Sequence, residues 1–261
     1  MRHEPIINAT DGTRPDPRAP GVIRLRQAAR ASFRAVIGEA SVILRVEQGR
    51  KVIRGGWIAE VPEGAISLMP AAIPLDVENH PSVVGPYRAT ALLIPAGLAV
   101  PLGRSQAMCT SDSRVSEAFD RALDLLRRPT TPQAIRDHAV LEVLLWLDAA
   151  GLRLPPPGPG RFSDRVRRML MSDLGHGWTA AEAAGALATS EATLRRRLAA
   201  EGLGLAELLI DMRMTRALGL LQGTDLPVSE VAHQVGYASP SRFALRFKAR
   251  FGVSPSVIRE G

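Results

Sequence analysis

Seven cationic side chains recur near the C-terminus in two groups, Arg195, Arg196 and Arg197, then Arg242, Arg246, Lys248 and Arg250. A guanidinium offers a rigid fork of N–H donors that fits phosphate oxygens or the O6 and N7 atoms of guanine; an ammonium is a point charge for phosphate. Such groups act only when a rigid element holds them outward. Each group is interleaved with apolar residues four apart, Leu194 with Leu198 and Phe243 with Phe247, which is the spacing of one buried helical face. Ser190 and Ser239 stand just before these helices, where a hydroxyl satisfies unpaired amide donors. The two serines are 49 residues apart, and both apolar pairs keep that offset. Upstream, small Ala184 and Ala232 would let a leading helix approach closely. Residues 179–202 and 228–252 therefore read as two copies of a helix-turn-helix unit. By spacing alone, an arginine-rich face is most often just a solvated surface.

A longer pattern decides between these readings. Val228-Ser229-Glu230-Val231-Ala232, Gly236-Tyr237, Ser239-Pro240-Ser241-Arg242-Phe243, Phe247-Lys248 and Phe251-Gly252-Val253-Ser254-Pro255 closely resemble the C-terminal signature of the AraC/XylS family of bacterial transcription regulators. Trp178-Thr179, Arg213-Met214, Ala217 and Leu220-Leu221 resemble the rest of that family's DNA-binding domain. The resemblance implies two recognition helices in successive major-groove segments, joined by a connecting helix over residues 205–222. Carried over by position, it puts base reading on Ala192, Arg195 and Arg196, and on Ser241, Arg242 and Leu245. Ser190, Arg197, Ser239, Arg246 and Lys248 complete the expected DNA-binding set. Leu245 departs from the arginine of many relatives; it can meet a thymine methyl but makes no bidentate guanine contact. Phe243, Phe247 and Phe251 share one stripe and are expected in the core, not stacked on bases.

Composition agrees without carrying the argument. The chain has 33 Lys+Arg against 26 Asp+Glu, a formal charge of +7, as suits a polyanion partner, but the excess is spread over both halves. Residues 153–161, Arg-Leu-Pro-Pro-Pro-Gly-Pro-Gly-Arg, can neither continue a helix nor pair in a sheet, and read as a semi-rigid linker. Residues 1–21 read as a flexible N-terminal arm, being polar and lacking the apolar run of a signal or membrane segment. Cys109 is the only cysteine, so no intrachain disulfide can form, which fits the cytoplasm.

Between arm and linker, residues 22–152 are expected to form a sensory and dimerisation domain. Eight brief, often β-branched segments lie within residues 22–104, separated by Gly, Pro or Asn. With the family's habit they suggest a cupin-like β-barrel, or jelly roll. The fold class is thus α+β: barrel, helical pair, Pro/Gly linker, and an all-α tandem helix-turn-helix domain over 162–261. Catalytic cupins hold a metal with clustered histidines and a carboxylate. Here His3, His80, His138, His176 and His233 are far apart in sequence, so no metal, cofactor or catalytic residue is expected and the enzyme reading falls behind. The barrel interior is either packed or a ligand pocket. Arg24, Arg34, Arg45 and Arg88 lie on its strands and could meet an acidic ligand, and a fainter resemblance to fatty-acid-sensing members of the family implies a fatty acid as a small-molecule effector.

Two helical patterns fill residues 113–150. Their apolar area needs a partner surface, and in related regulators such a pair forms the dimer interface, here expected at Leu141, Leu144 and Leu145. The reading is a DNA-binding transcription regulator, an activator, working as a homodimer on promoter DNA with RNA polymerase and away from the membrane. The alternatives are a regulator governed by abundance or physical conditions with no ligand, and, more remotely, a cupin enzyme fused to a nucleic-acid module.

Overall fold

The computed structural model describes residues 19–38, 40–55, 57–71, 73–156 and 161–259. Residues 1–18 of the expected arm, His3 and linker positions 157–160 lie outside the described residues.

Short antiparallel strands build the N-terminal half. Strands β1 (Val22–Gln27), β8 (Tyr87–Leu93), β3 (Val42–Gln48), β6 (Ile66–Met69) and β9 (Cys109–Thr110) form one antiparallel sheet in that order. β2 (Ala31–Ile37), β7 (Pro74–His80), β4 (Arg50–Arg54) and β5 (Ile58–Val61) form the other. Inward residues Leu44, Val46, Ile53, Val61, Leu75, Val77 and Ala89 share one core between the sheets. The outer face of the five-stranded sheet buries Val22, Ile43, Leu68 and Leu92 against helices α1 (Ser113–Arg127) and α2 (Gln133–Ala149). Phe119, Val140, Val143 and Leu147 are the helical side of that contact.

The eight expected strands are present, but the expected barrel is not. Among the described residues neither sheet closes: β1 and β9 end one, β2 and β5 the other. The reason lies in the C-terminal half. β1 packs against α6 (Leu205–Gly223) and α9 (Pro255–Arg259), and β2 against α6 and α8 (Pro240–Phe251). Helices cover the two N-terminal edges, which is another way to protect an edge than closing the sheet.

The C-terminal half also contains α3 (Phe162–Leu170), α4 (Ala180–Ala186), α5 (Glu191–Ala200) and α7 (Val228–Gln234). Its apolar residues form two separate cores. Val166, Leu170, Ala183, Ala184, Leu194 and Leu198 make the first; Val231, Ala232, Phe243, Phe247, Phe251 and Ile258 belong to the second. Helix α6 serves both, giving Leu208 and Leu209 to the first and Met214, Ala217, Leu218, Leu220 and Leu221 to the second. The second core also takes Ala31 and Phe33 from β2. The Phe33 ring meets Phe251 edge-on at a centroid distance of 5.3 Å.

Candidate nucleic-acid interface

Each unit is built by local chemistry that its sequence encodes. The Thr179 side chain accepts from the Glu182 amide at 3.2 Å, and the Glu182 carboxylate accepts from the Thr179 amide at 2.8 Å, a reciprocal cap at the start of α4. Ser190 Oγ accepts from the Thr193 amide at 3.2 Å at the start of α5. Ser239 Oγ accepts from the Arg242 amide at 3.4 Å, with Pro240 supplying a first turn that needs no N–H. Both serines are therefore engaged as caps.

The register of the two copies slips within the turn. Ala184 and Ala232 are 48 residues apart, whereas the caps are 49 apart, so the second turn is one residue longer. The left-handed residue falls at matching places, Ala188 (φ 51°) in the first turn and Gly236 (φ 83°) in the second. Ala188 carries a cost of about 1 kcal/mol or more that glycine avoids.

Leu194 and Leu198 bury the inner face of α5 and leave Ala192, Arg195, Arg196 and Arg197 exposed. The three arginines differ. Arg195 donates to the Glu191 carboxylate one turn earlier at 2.8 Å, an exposed pair worth well under about 1 kcal/mol and easily exchanged. Arg197 lies over the Phe162 ring, 5.2 Å from its centroid. Arg196 has no hydrogen bond or ion pair among the described residues. On α8, Phe243, Phe247 and Phe251 are buried while Ser241, Arg242, Arg246 and Lys248 are exposed. Leu245 is 71% exposed, out of keeping with a packing role. Arg250, expected on the outward face, instead donates to Asp211 on α6 at 2.7 Å and is half-buried. It fastens α8 to the connector.

The expected dimerisation residues fare unequally. Leu144 is buried in the chain's own core, Leu141 is half-buried and Leu145 is 55% exposed. Leu145 and Ile135 are the large exposed apolar side chains of α2. Among the strand arginines, Arg24, Arg34 and Arg88 face solvent, while Arg45 pairs with Asp120 at 2.7 Å and covers the Phe119 ring.

Sequence reasoning passed over Lys51. Its side chain points with Ile53 into the space between the sheets, 3% exposed. Lys51 Nζ donates to Asn79 Oδ1 at 2.9 Å and lies 5.5 Å from the centre of the Tyr87 ring. Burial lowers its pKa from 10.5 to about 7. The Tyr87 hydroxyl is buried without a hydrogen-bond partner among the described residues. Asn79 Nδ2 donates to Gln27 Oε1 at 2.9 Å, and Gln222 Nε2 on α6 donates to the same oxygen at 2.8 Å. The signal was the strand phase: Lys51 occupies the same face as Ile53, two residues on.

The chain is similar to several known proteins. A family described as a helix-turn-helix domain matches residues 183–261. The DNA-binding dual transcriptional regulator Rns of Escherichia coli is 35% identical over 94 residues, 36% of this chain and 36% of Rns. The transcriptional regulator SirC of Salmonella typhimurium is 38% identical over 153 residues, 54% of this chain and 51% of SirC. The match thus spans about a third to a half of these relatives. The solved structure of ToxT from Vibrio cholerae superposes over 91% of this chain and 96% of its own, with a TM-score of 0.62 at 14% identity. That likeness is one of fold.

Proposed function

We propose that the chain is a member of the AraC/XylS family of bacterial helix-turn-helix transcriptional regulators, as the helix-turn-helix match over residues 183–261 and the similarity to Rns and SirC support, and that it binds a bipartite site on double-stranded DNA and activates transcription there. The observation that carries this reading is the pair of arginine-bearing helices, α5 and α8, standing on cores that one connector, α6, serves in common. Arg196, with no partner to displace among the described residues, is the first reader of guanine, assisted by Arg195 and the small Ala192. On α8, Arg242 reads a base beside Ser241, and exposed Leu245 packs on a thymine methyl. Arg197, Arg246 and Lys248 neutralise phosphates, and the capping serines Ser190 and Ser239 orient the helix N-termini toward the backbone.

The α2 surface carrying Leu141, Leu145 and Ile135 supports a homodimer, and RNA polymerase is the partner that activation requires. One observation favours a small-molecule effector. Among the described residues no ion pair joins Lys51 to a carboxylate and the Tyr87 hydroxyl has no hydrogen-bond partner; a carboxylate, as on a fatty acid, would meet both. A solved structure of ToxT is described as bound to an unsaturated fatty acid.

The test separates base reading from charge neutralisation. On a duplex selected by the wild-type chain from random sequence, Arg196→Ala should lose about 1–3 kcal/mol and relax preference at one base pair. Lys248→Ala should weaken selected and random DNA alike and lower the salt slope by about one unit. Leu245→Ala should cost less than Arg196→Ala. Equal loss on selected and random DNA for Arg196→Ala, at matched salt, would contradict the assignment.

A further inference from the structure

Two recognition helices discriminate a bipartite site only if their separation and relative rotation are held fixed. The shared connector fixes part of this, but each unit also needs restraint against rolling about α6. One side chain meets both units.

Arg213 projects from the middle of α6. Its Nε donates to the Leu174 carbonyl at 2.7 Å, and its Nη2 donates to the carbonyls of Gly175 at 3.2 Å and His176 at 2.9 Å. These carbonyls belong to the loop that leads into Thr179, the cap of α4. The loop is itself stiffened: Asp173 Oδ1 accepts from the amides of Gly175 and His176 at 2.9 and 3.0 Å, and the Trp178 indole N–H donates to the Asp173 carbonyl at 2.8 Å. The other side of the same guanidinium faces the second unit. It lies 5.8 Å from the centre of the Tyr237 ring, in the turn between α7 and α8.

Gly236 makes that approach possible. With a positive φ and no side chain, it lets the turn come so close that a Cβ there would stand 2.9 Å from Arg213 Nη2 and 3.0 Å from the Gly175 Cα. The loop of the first unit and the turn of the second therefore touch directly, with Arg213 between them. A lysine at 213 keeps the charge but lacks the planar fork that serves three carbonyls and a ring face at once.

We propose that Arg213 is a positioning residue that locks the two helix-turn-helix units at one spacing, so that the chain reads both half-sites only when the DNA presents them at that spacing. The inference rests on the bipartite DNA reading above, and assigns Arg213 no contact with DNA.

The experiment uses the full chain and three duplexes. One is the wild-type-selected site, one has its second half scrambled, and one has about five base pairs, half a helical turn, inserted between the halves. Arg213→Lys should bind the intact site at least about 10-fold more weakly, because loosening the link lowers the effective concentration of the second contact, whose complete loss is worth about 100–10,000-fold. It should bind the half-scrambled site as well as wild type does, and lose most of the wild-type penalty for the insertion. Tyr237→Leu, which removes the ring but leaves the carbonyl bonds, should shift the same two ratios in the same direction by less, and decides the matter if Arg213→Lys fails to fold by circular dichroism. A folded variant that weakens intact and half-scrambled sites equally, or that keeps the full insertion penalty, overturns the proposal. A wild type indifferent to scrambling the second half overturns the bipartite reading and this inference together; a discriminating wild type with an equally discriminating variant overturns this inference alone.

Discussion

Phe33→Ala is expected to lower the stability of the whole chain by about 3–5 kcal/mol, the usual loss for truncating a buried aromatic side chain. Phe33 is 1% exposed and its ring sits edge-on against Phe251, within the core that holds Phe243 and Phe247. The effect should therefore surface far from the mutated strand. Hydrogen exchange should accelerate in α8 as much as in β2, because one cavity opens between both. Urea unfolding of the full chain measures the first quantity and amide exchange the second. A loss confined to β2, with α8 unchanged, would show that the second helix-turn-helix unit does not lean on the N-terminal sheets.

The second large effect concerns Lys51. Burial holds its pKa at about 7, below the 10.5 of the unfolded chain. Between those values the unfolded state binds more protons than the folded state, so stability rises with pH. A depression of that size corresponds to a penalty of roughly 5 kcal/mol at and below pH 7. Lys51→Met should recover about 2–4 kcal/mol at pH 7, part being lost because Asn79 Oδ1 forfeits its donor. The variant should also lose the rise in stability that wild type shows from pH 7.5 to 9.5. Above that window the neighbouring Tyr87, whose pKa is raised by its own burial and then by Glu47, acts in the opposite direction. Denaturation midpoints of both proteins across this range check the claim; parallel curves would contradict it. If a carboxylate effector is held by Lys51, oleate should raise the melting temperature of wild type and not of Lys51→Met.

How much of this was legible in the sequence depended on whether the information is local. Leu194 with Leu198 and Phe243 with Phe247 declare a helical face by their spacing, and Ser190 and Ser239 declare where those helices begin. The eight strands were similarly marked by brief, often β-branched runs and by the Gly, Pro and Asn between them. What such runs do not encode is which distant element covers a face or an edge. Whether the sheets close depended on α6, α8 and α9 lying on β1 and β2, a contact between residues some two hundred positions apart. Phe33 reads simply as an inward strand residue, with nothing nearby to show that Phe251 completes its surroundings. Leu144 and Leu145 are adjacent in one apolar run, yet the helical turn buries the former and exposes the latter. Among the arginines, Arg250 carries the same charge as Arg246, and only the position of Asp211 takes it out of the outward set. The one-residue slip between the two turns was present in the numbers, since Ala184 and Ala232 are 48 apart, but its meaning needed the positive φ of Ala188 and Gly236.

The central claim is that α5 and α8 read two half-sites on one face of a duplex. Hydroxyl-radical footprinting of the full chain on its selected site tests this most directly. The account predicts two protected patches about one helical turn apart, 10–10.5 base pairs, with Arg196→Ala erasing protection in one and Arg242→Ala in the other. A single patch, or protection that both variants weaken uniformly along the site, would contradict it.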